Sequence, residues 1–172
     1  MKFNNKKNDC VTTTEGKEIW VSRSVAVTLI ATIFLNGKEN FVLISQRGED
    51  VPDFKGYWCL PCGYLDHCET GAQAVKREAW EEVGIDISKW IDDYDQPWFV
   101  NTDPNENRQN VSLTYAFHSI ENKLPNLLPN NIGEGKEVSD AKWVRLNDID
   151  KYNFAFNHEK RIKEFFLSLN NR

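Results

Sequence analysis

Long apolar runs are missing from this chain. The longest, Val25–Leu35, is broken by Thr28 and Thr32 and is too short to cross a bilayer. The apolar core of a secretory leader is missing too, since residues 1–9 are polar and carry Lys2, Lys6 and Lys7. These two absences predict no membrane span and a cytoplasmic protein. Positive charge is also in deficit: 21 Lys and Arg stand against 26 Asp and Glu, a net charge of −5. Without a basic surplus, nucleic acid is not the expected partner. A phosphate-bearing ligand would have to be met by metal ions or by local Arg and Lys. Cysteine is scarce, at Cys10, Cys59, Cys62 and Cys68. The pair Cys59-x-x-Cys62 raises zinc or redox chemistry, yet a structural zinc wants four ligands, and His67 and Cys68 complete no familiar spacing. Residues three apart on a strand also point to opposite faces, so these cysteines read as structural.

What is present suits one globular domain. The chain has 172 residues, 40% hydrophobic and 27% charged, enough for a real core. Residues 1–15 read as a polar tail and residues 16–172 as a single domain with no internal repeat. The Val, Ile and Thr of residues 24–35 predict a long strand. Asn36-Gly37-Lys38 then signals a turn into a second strand at residues 41–46. A short strand is expected at residues 57–60, then a polar loop over residues 63–71. Thr70 and Gln73 fit a capping box, and Gly84 fits a C-terminal cap, which predicts a helix over Gly71–Val83. Further strands are expected at residues 98–101, 111–118 and 141–146. A long loop lies at residues 123–136 and an amphipathic helix at residues 159–169. Strands on both sides of a central helix imply an α/β fold with a mixed sheet flanked by helices.

The predicted central helix carries the chemistry. Each helical residue turns about 100°, so with Glu78 at zero, Glu82 lies near ~40° and Glu81 near ~300°. Ala79, Trp80 and Val83 then turn toward the sheet. Three carboxylates so close repel one another and need a counter-ion. Hard oxygen ligands suit Mg2+ or Mn2+. The Gly63 carbonyl can add a neutral oxygen, Arg77 can pair with a carboxylate and hold it, and Glu69 sits where the helix dipole favours negative charge. Acidic residues at helical spacing are also common on solvated helices.

The full spacing separates these readings. Gly63, five residues, Glu69, seven residues, Arg77-Glu78-Ala79-Trp80-Glu81-Glu82-Val83-Gly84-Ile85 resembles the Nudix signature in all seven fixed letters. A chance match is on the order of 10⁻⁹ per start position. The lead-in from Asp53 through Trp58 to Gly63 resembles the family as well, except that Cys62 stands where a glycine is usual. Outside the motif the likeness, over residues 21–166, is unspecific.

The resemblance implies an α/β/α sandwich with the catalytic loop and helix packed on a mixed sheet. It implies a metal-dependent pyrophosphohydrolase that cuts a nucleoside diphosphate linked to another moiety. Gly63, Glu78, Glu81 and Glu82 would hold Mg2+ or Mn2+, with Glu81 and Glu82 central and Arg77 an organiser. The base varies in the family, and Glu82, Glu134 or Glu137 are candidates. Arg47 stands where the family often has an arginine and is a candidate substrate contact. Trp98 and Phe99 are candidates because aromatic faces stack on bases, as is Trp20. Asp103 to Arg108 with Val111 to Tyr115, and Phe154 to His158, resemble the ADP-ribose pyrophosphatase branch. His158 serves either phosphate or the start of the last helix. Gln96 to Phe99 matches part of an NADH pyrophosphatase motif, from which Val100-Asn101-Thr102 depart. The expected partner is a small nucleotide, with homodimerisation open. The rival readings are a nucleotide-sensing module, an RNA-cap hydrolase and a Cys59–Cys62 redox or zinc protein. With only six residues after Phe166, an added DNA-binding domain is not expected.

Overall fold

Branched residues crowd the first long apolar run, and that run forms the spine of the fold. The computed structural model describes residues 8–104, 109–128 and 136–170. Its strands are β1 (Asp9–Thr12), β2 (Glu18–Val21), β3 (Val25–Leu35), β4 (Glu39–Arg47), β5 (Trp58–Cys59), β6 (Cys62–Tyr64), β7 (Phe99–Asn101), β8 (Val111–Glu121) and β9 (Val138–Arg145). The helices are α1 (Gly71–Val83) and α2 (His158–Asn170), with a 3-10 turn at Leu146–Lys151.

β3 sits at the centre of a seven-stranded sheet in the order β5-β4-β3-β8-β7, with β6 also paired to β3 and β9 to β4. β3 and β8 run parallel, from Val25 opposite Val111 to Leu35 opposite Glu121, while the other pairs are antiparallel. The sheet is mixed, as expected. The β3–β4 hairpin turns on Asn36 and Gly37, both with positive φ (51° and 63°), which matches the right-handed twist of paired strands.

Alternation along β3 builds two cores. Val27, Leu29, Ala31 and Ile33 face α1 together with Leu43, Tyr115 and Phe117. Ile30 faces the other way, with Val42, Ile44, Val144, Ile162, Phe165 and Phe166 of the α2 layer. The result is the α/β/α sandwich.

Helix α1 begins and ends where its caps dictate. The Thr70 hydroxyl accepts from Gln73 N at 3.1 Å, and Gln73 Oε1 accepts from Thr70 N at 2.9 Å. Gly84 ends the helix with φ 67°. A Cβ there would lie 1.9 Å from the Leu128 carbonyl oxygen, so both backbone angle and space demand glycine.

Three local expectations change. Asp9–Thr12, inside the segment read as a tail, pairs with β2 as a separate two-stranded sheet. Cys62–Tyr64, read as loop, pairs with β3 because Pro61 redirects the chain from β4 to β3. Trp80 does not pack on the sheet and is 49% exposed. Among the described residues no helix is long and apolar enough to cross a membrane.

Thr70→Ala is expected to lower the stability of the chain by about 1 kcal/mol through loss of the cap. The urea midpoint checks this, and an unchanged midpoint would show that the cap does not hold α1.

Candidate active site

The buried stripe of α1 runs through Ala72, Val75, Ala79 and Val83. Its centre lies near ~100° from Glu78, which explains both Trp80, near ~200° and in solvent, and Glu82, near ~40° on the shoulder of the buried face. The three glutamates are therefore not equivalent. The Glu78 side chain is 12% exposed and that of Glu81 42%. Glu82 is drawn inward, where Oε2 accepts from Cys62 N at 3.2 Å and from the Ser45 hydroxyl at 3.5 Å.

Arg77 ties the loop to the helix. Its Nη1 donates to Glu78 Oε1 at 2.7 Å and to Glu81 Oε2 at 3.2 Å. Nη2 donates to Glu69 Oε1 at 2.8 Å and to the Tyr64 carbonyl at 2.9 Å, while Nε reaches Glu69 Oε2 at 3.2 Å. The second Glu69 contact makes that pair a two-pronged fork. Arg77 holds the Glu69 carboxyl below the usual range, and Asp66 N donates to Glu69 at 2.7 Å. Arg77 therefore joins the loop at Tyr64 and Glu69 to Glu78 and Glu81 on the helix.

The electrostatics of the cluster are uncompensated. Burial pushes the Glu82 carboxyl well above the usual carboxylate range, with the charges of Cys59 and Glu78 adding to it. Burial also raises Glu78, against the pull of Arg77, and Glu81 and Glu137 contribute like charge. One guanidinium thus hydrogen-bonds Glu78 and Glu81, while Glu82 feels only the more distant charge of Arg47. Hard carboxylate oxygens with a charge deficit are the donor set that a divalent magnesium-like cation fits. Gly63 lies against this set: a Cβ on it would be 2.1 Å from Glu78 Oε1. As placed, Glu78 and Glu81 turn to Arg77, and among the described residues no three carboxylate, imidazole or thiol side chains converge on one point.

The remaining candidates fall in different places. Arg47 Nη2 pairs with Asp53 Oδ1 at 2.8 Å and its guanidinium lies 4.7 Å from the Phe156 ring centre. Its charge still reaches Glu82. Trp98 packs edge-to-face on Phe165 at 5.3 Å, and Phe99 lies under the Arg161 guanidinium at 3.7 Å. Both sit against α2, across the sheet from α1. They lie on the α2 side of the sheet, with Trp98 just before β7 and Phe99 at its start. Trp20 is 68% exposed on the separate hairpin. His158 starts α2 and its Nδ1 accepts from Leu60 N at 3.0 Å, so it acts as a helix-start anchor. Glu134, with Asn105 to Arg108, lies outside the described residues.

Cys59 and Cys62 do not point to opposite faces. They lie near enough to act on each other's titration, Cys62 lowering Cys59 and Cys59 raising Cys62, because they belong to two strands joined across Leu60-Pro61. Ser45 went unnoticed in the sequence. It is fully buried in an apolar strand, touching Cys59 Sγ at 3.3 Å as well as Glu82. A hydroxyl directly after the run Val42-Leu43-Ile44 was the available signal.

A sequence model of the NUDIX domain matches residues 25–165. The chain belongs to the Nudix family. The "ADP-ribose pyrophosphatase" of Methanocaldococcus jannaschii is 29% identical to this Nudix chain over 130 residues, covering 74% of it and 67% of the relative. The "Nucleoside triphosphatase NudI" of Klebsiella pneumoniae is 24% identical over 131 residues, 73% of this chain and 86% of the relative. In fold, this Nudix domain resembles that of NrtR from Shewanella oneidensis, solved with ADP ribose, at a TM-score of 0.65 and 22% identity. That match covers 87% of this chain and 90% of the other. The chain is a Nudix pyrophosphohydrolase.

The raised Glu82 pKa has a consequence for stability. The folded chain holds that proton more tightly than the unfolded chain, so the associated stability is full below the unfolded pKa. It is lost as pH rises through the folded one. Glu82→Gln, which does not titrate, is expected to raise the Tm of metal-free protein, by a margin that grows as pH climbs above about 4. A margin that stays flat with pH would contradict the raised pKa. Gly63→Ala should push the Glu78 carboxylate aside and impair hydrolysis while circular dichroism stays native, since the flexible end of Glu78 can yield.

Proposed function

We propose that this Nudix pyrophosphohydrolase uses Mg2+ or Mn2+ to hydrolyse the diphosphate bridge of a nucleoside diphosphate joined to a second moiety. ADP-ribose, or a related dinucleotide or nucleotide sugar, is the substrate class put forward. The observation that carries the metal reading is the uncompensated carboxylate set, with Glu82 drawn inward and Glu78 sharing Arg77. The name of the M. jannaschii relative supports the substrate class.

Glu78, Glu81 and Glu82, with the backbone at Gly63, would hold the cation. When bound, such a cation neutralises phosphate charge and lowers the pKa of water. The protein side of the reaction falls to its own groups. Arg77 keeps Glu78 and Glu81 oriented from one guanidinium. A carboxylate takes a proton from the water whose oxygen attacks phosphorus. The bridging P–O bond breaks, and two phosphate monoesters leave. Glu82 is one candidate base, since burial raises its pKa and so makes its carboxylate a stronger proton acceptor. Glu137 is another, close enough to Glu78 to affect its titration, and Glu134 is the third. The small nucleotide substrate is the partner in this reading.

A hydrolysis screen with Mg2+ and Mn2+ over ADP-ribose, NADH, dinucleoside polyphosphates, nucleotide sugars and nucleoside triphosphates tests the function. Failure to cut any of them with either cation would overturn it. Glu81→Gln is expected to lower kcat by at least about 10³-fold on the substrate found, with Tm little changed because that side chain is 42% exposed. A near-normal rate would remove Glu81 from the metal set.

A further inference from the structure

Solvent-facing aromatic rings beside a site that handles phosphate call for a partner with a flat apolar face. Phe54 and Tyr57 are such rings, 44% and 43% exposed. Phe54 meets Tyr57 edge-to-face at 5.7 Å and 71°, and meets Phe156 at 5.1 Å and 77°. Phe54 and Phe156 both adopt left-handed backbone, with φ 52° and 60°. That conformation is uncommon for bulky residues and gathers at ligand clamps.

Arg47 joins this group to the carboxylates. Its guanidinium faces the Phe156 ring at 4.7 Å and donates to the Asp53 carbonyl at 3.0 Å, one residue before Phe54. Its backbone N donates to the Tyr57 carbonyl and its own carbonyl accepts from Gly56 N, both at 2.9 Å. The 53–57 loop is therefore folded around Arg47. Two residues back on the same strand, the Ser45 hydroxyl reaches Glu82 at 3.5 Å. Two strand residues span about 7 Å, so the rings begin on the order of 10 Å from Glu82. That is comparable to the reach from the 5′-phosphate of a nucleotide to its base.

We propose that Phe54 and Tyr57, backed by Phe156 and positioned by Arg47, form the platform on which the nucleobase of the substrate stacks. This rests on the proposed function for the phosphate end and adds the end that selects a nucleoside. Base–aromatic stacking tolerates any base, since every base has a π-face.

Calorimetric titration of the full chain with AMP and, separately, ribose 5-phosphate, each with Mg2+ present, tests the platform. Phe54→Ala and Tyr57→Ala are each expected to weaken AMP binding about 5- to 100-fold, the range for loss of one stacking ring. Ribose 5-phosphate affinity should hold, and Phe54→Tyr and Tyr57→Phe should keep AMP affinity. Thermal unfolding of each variant confirms its fold, and Tyr57→Ala decides the matter if Phe54→Ala does not fold. The platform is overturned if the alanine variants bind AMP as the parent does. It is equally overturned if they lose AMP and ribose 5-phosphate alike, or if the parent does not prefer AMP. Base-dependent binding without hydrolysis of any nucleoside diphosphate derivative would uphold the platform and sink the proposed function. Hydrolysis with base-independent binding would do the reverse.

Discussion

One guanidinium holds the motif together. Arg77 reaches Glu69 and the Tyr64 carbonyl on the loop side and Glu78 and Glu81 on the helix side. Without it, residues 64–69 would have no charged tie to α1, and Glu78 and Glu81 would face each other with no intervening cation. Its own desolvation is outweighed by four carboxylate and carbonyl partners, which is why a planar fork is needed there and a single ammonium would not reach them all. The loop, the helix and the acidic face are thus one mechanical unit.

That unit keeps negative charge in a place of poor solvation. Glu82 is hydrogen-bonded to Cys62 N and Ser45, both uncharged, and burial raises its pKa. A chain selected for stability alone would place an apolar residue on this shoulder of α1, next to Val75 and Ala79. Local destabilisation of this kind belongs to sites that bind something positively charged or move a proton.

The sequence was most legible where local chemistry is decisive. The capping box of Thr70 and Gln73 and the glycine at 84 set the two ends of α1, and Asn36-Gly37 set the hairpin. Strand β3 followed from its Val, Ile and Thr content. Other features depend on tertiary context. Trp80 was expected on the sheet side with Ala79 and Val83 from its turn on the helix, but the buried stripe through Val75, Ala79 and Val83 is narrow enough to leave it outside. Cys59 and Cys62 face each other only because Pro61 passes the chain between two different strand partners. Ile87 and Ile91 are buried in the α1 core from a segment with no helix or strand, where no periodicity announces them. Stacking candidates were sought at Trp98 and Phe99 by residue type, whereas the rings folded around Arg47 were hidden until β4 and β5 came together.

Gly84, the last glycine of the signature, does more than end a helix. The Leu128 backbone lies in the notch left by its missing side chain, and Leu128 N donates to the Val83 carbonyl at 3.1 Å. The carboxyl end of α1 and the crossover that leaves β8 therefore share a joint. Any lengthening or shortening of the crossover before Leu128 would be transmitted as a tilt of α1, shifting Glu78, Glu81 and Glu82 together. The length of the chain between β8 and Leu128 is thus tied to the placement of the acidic face.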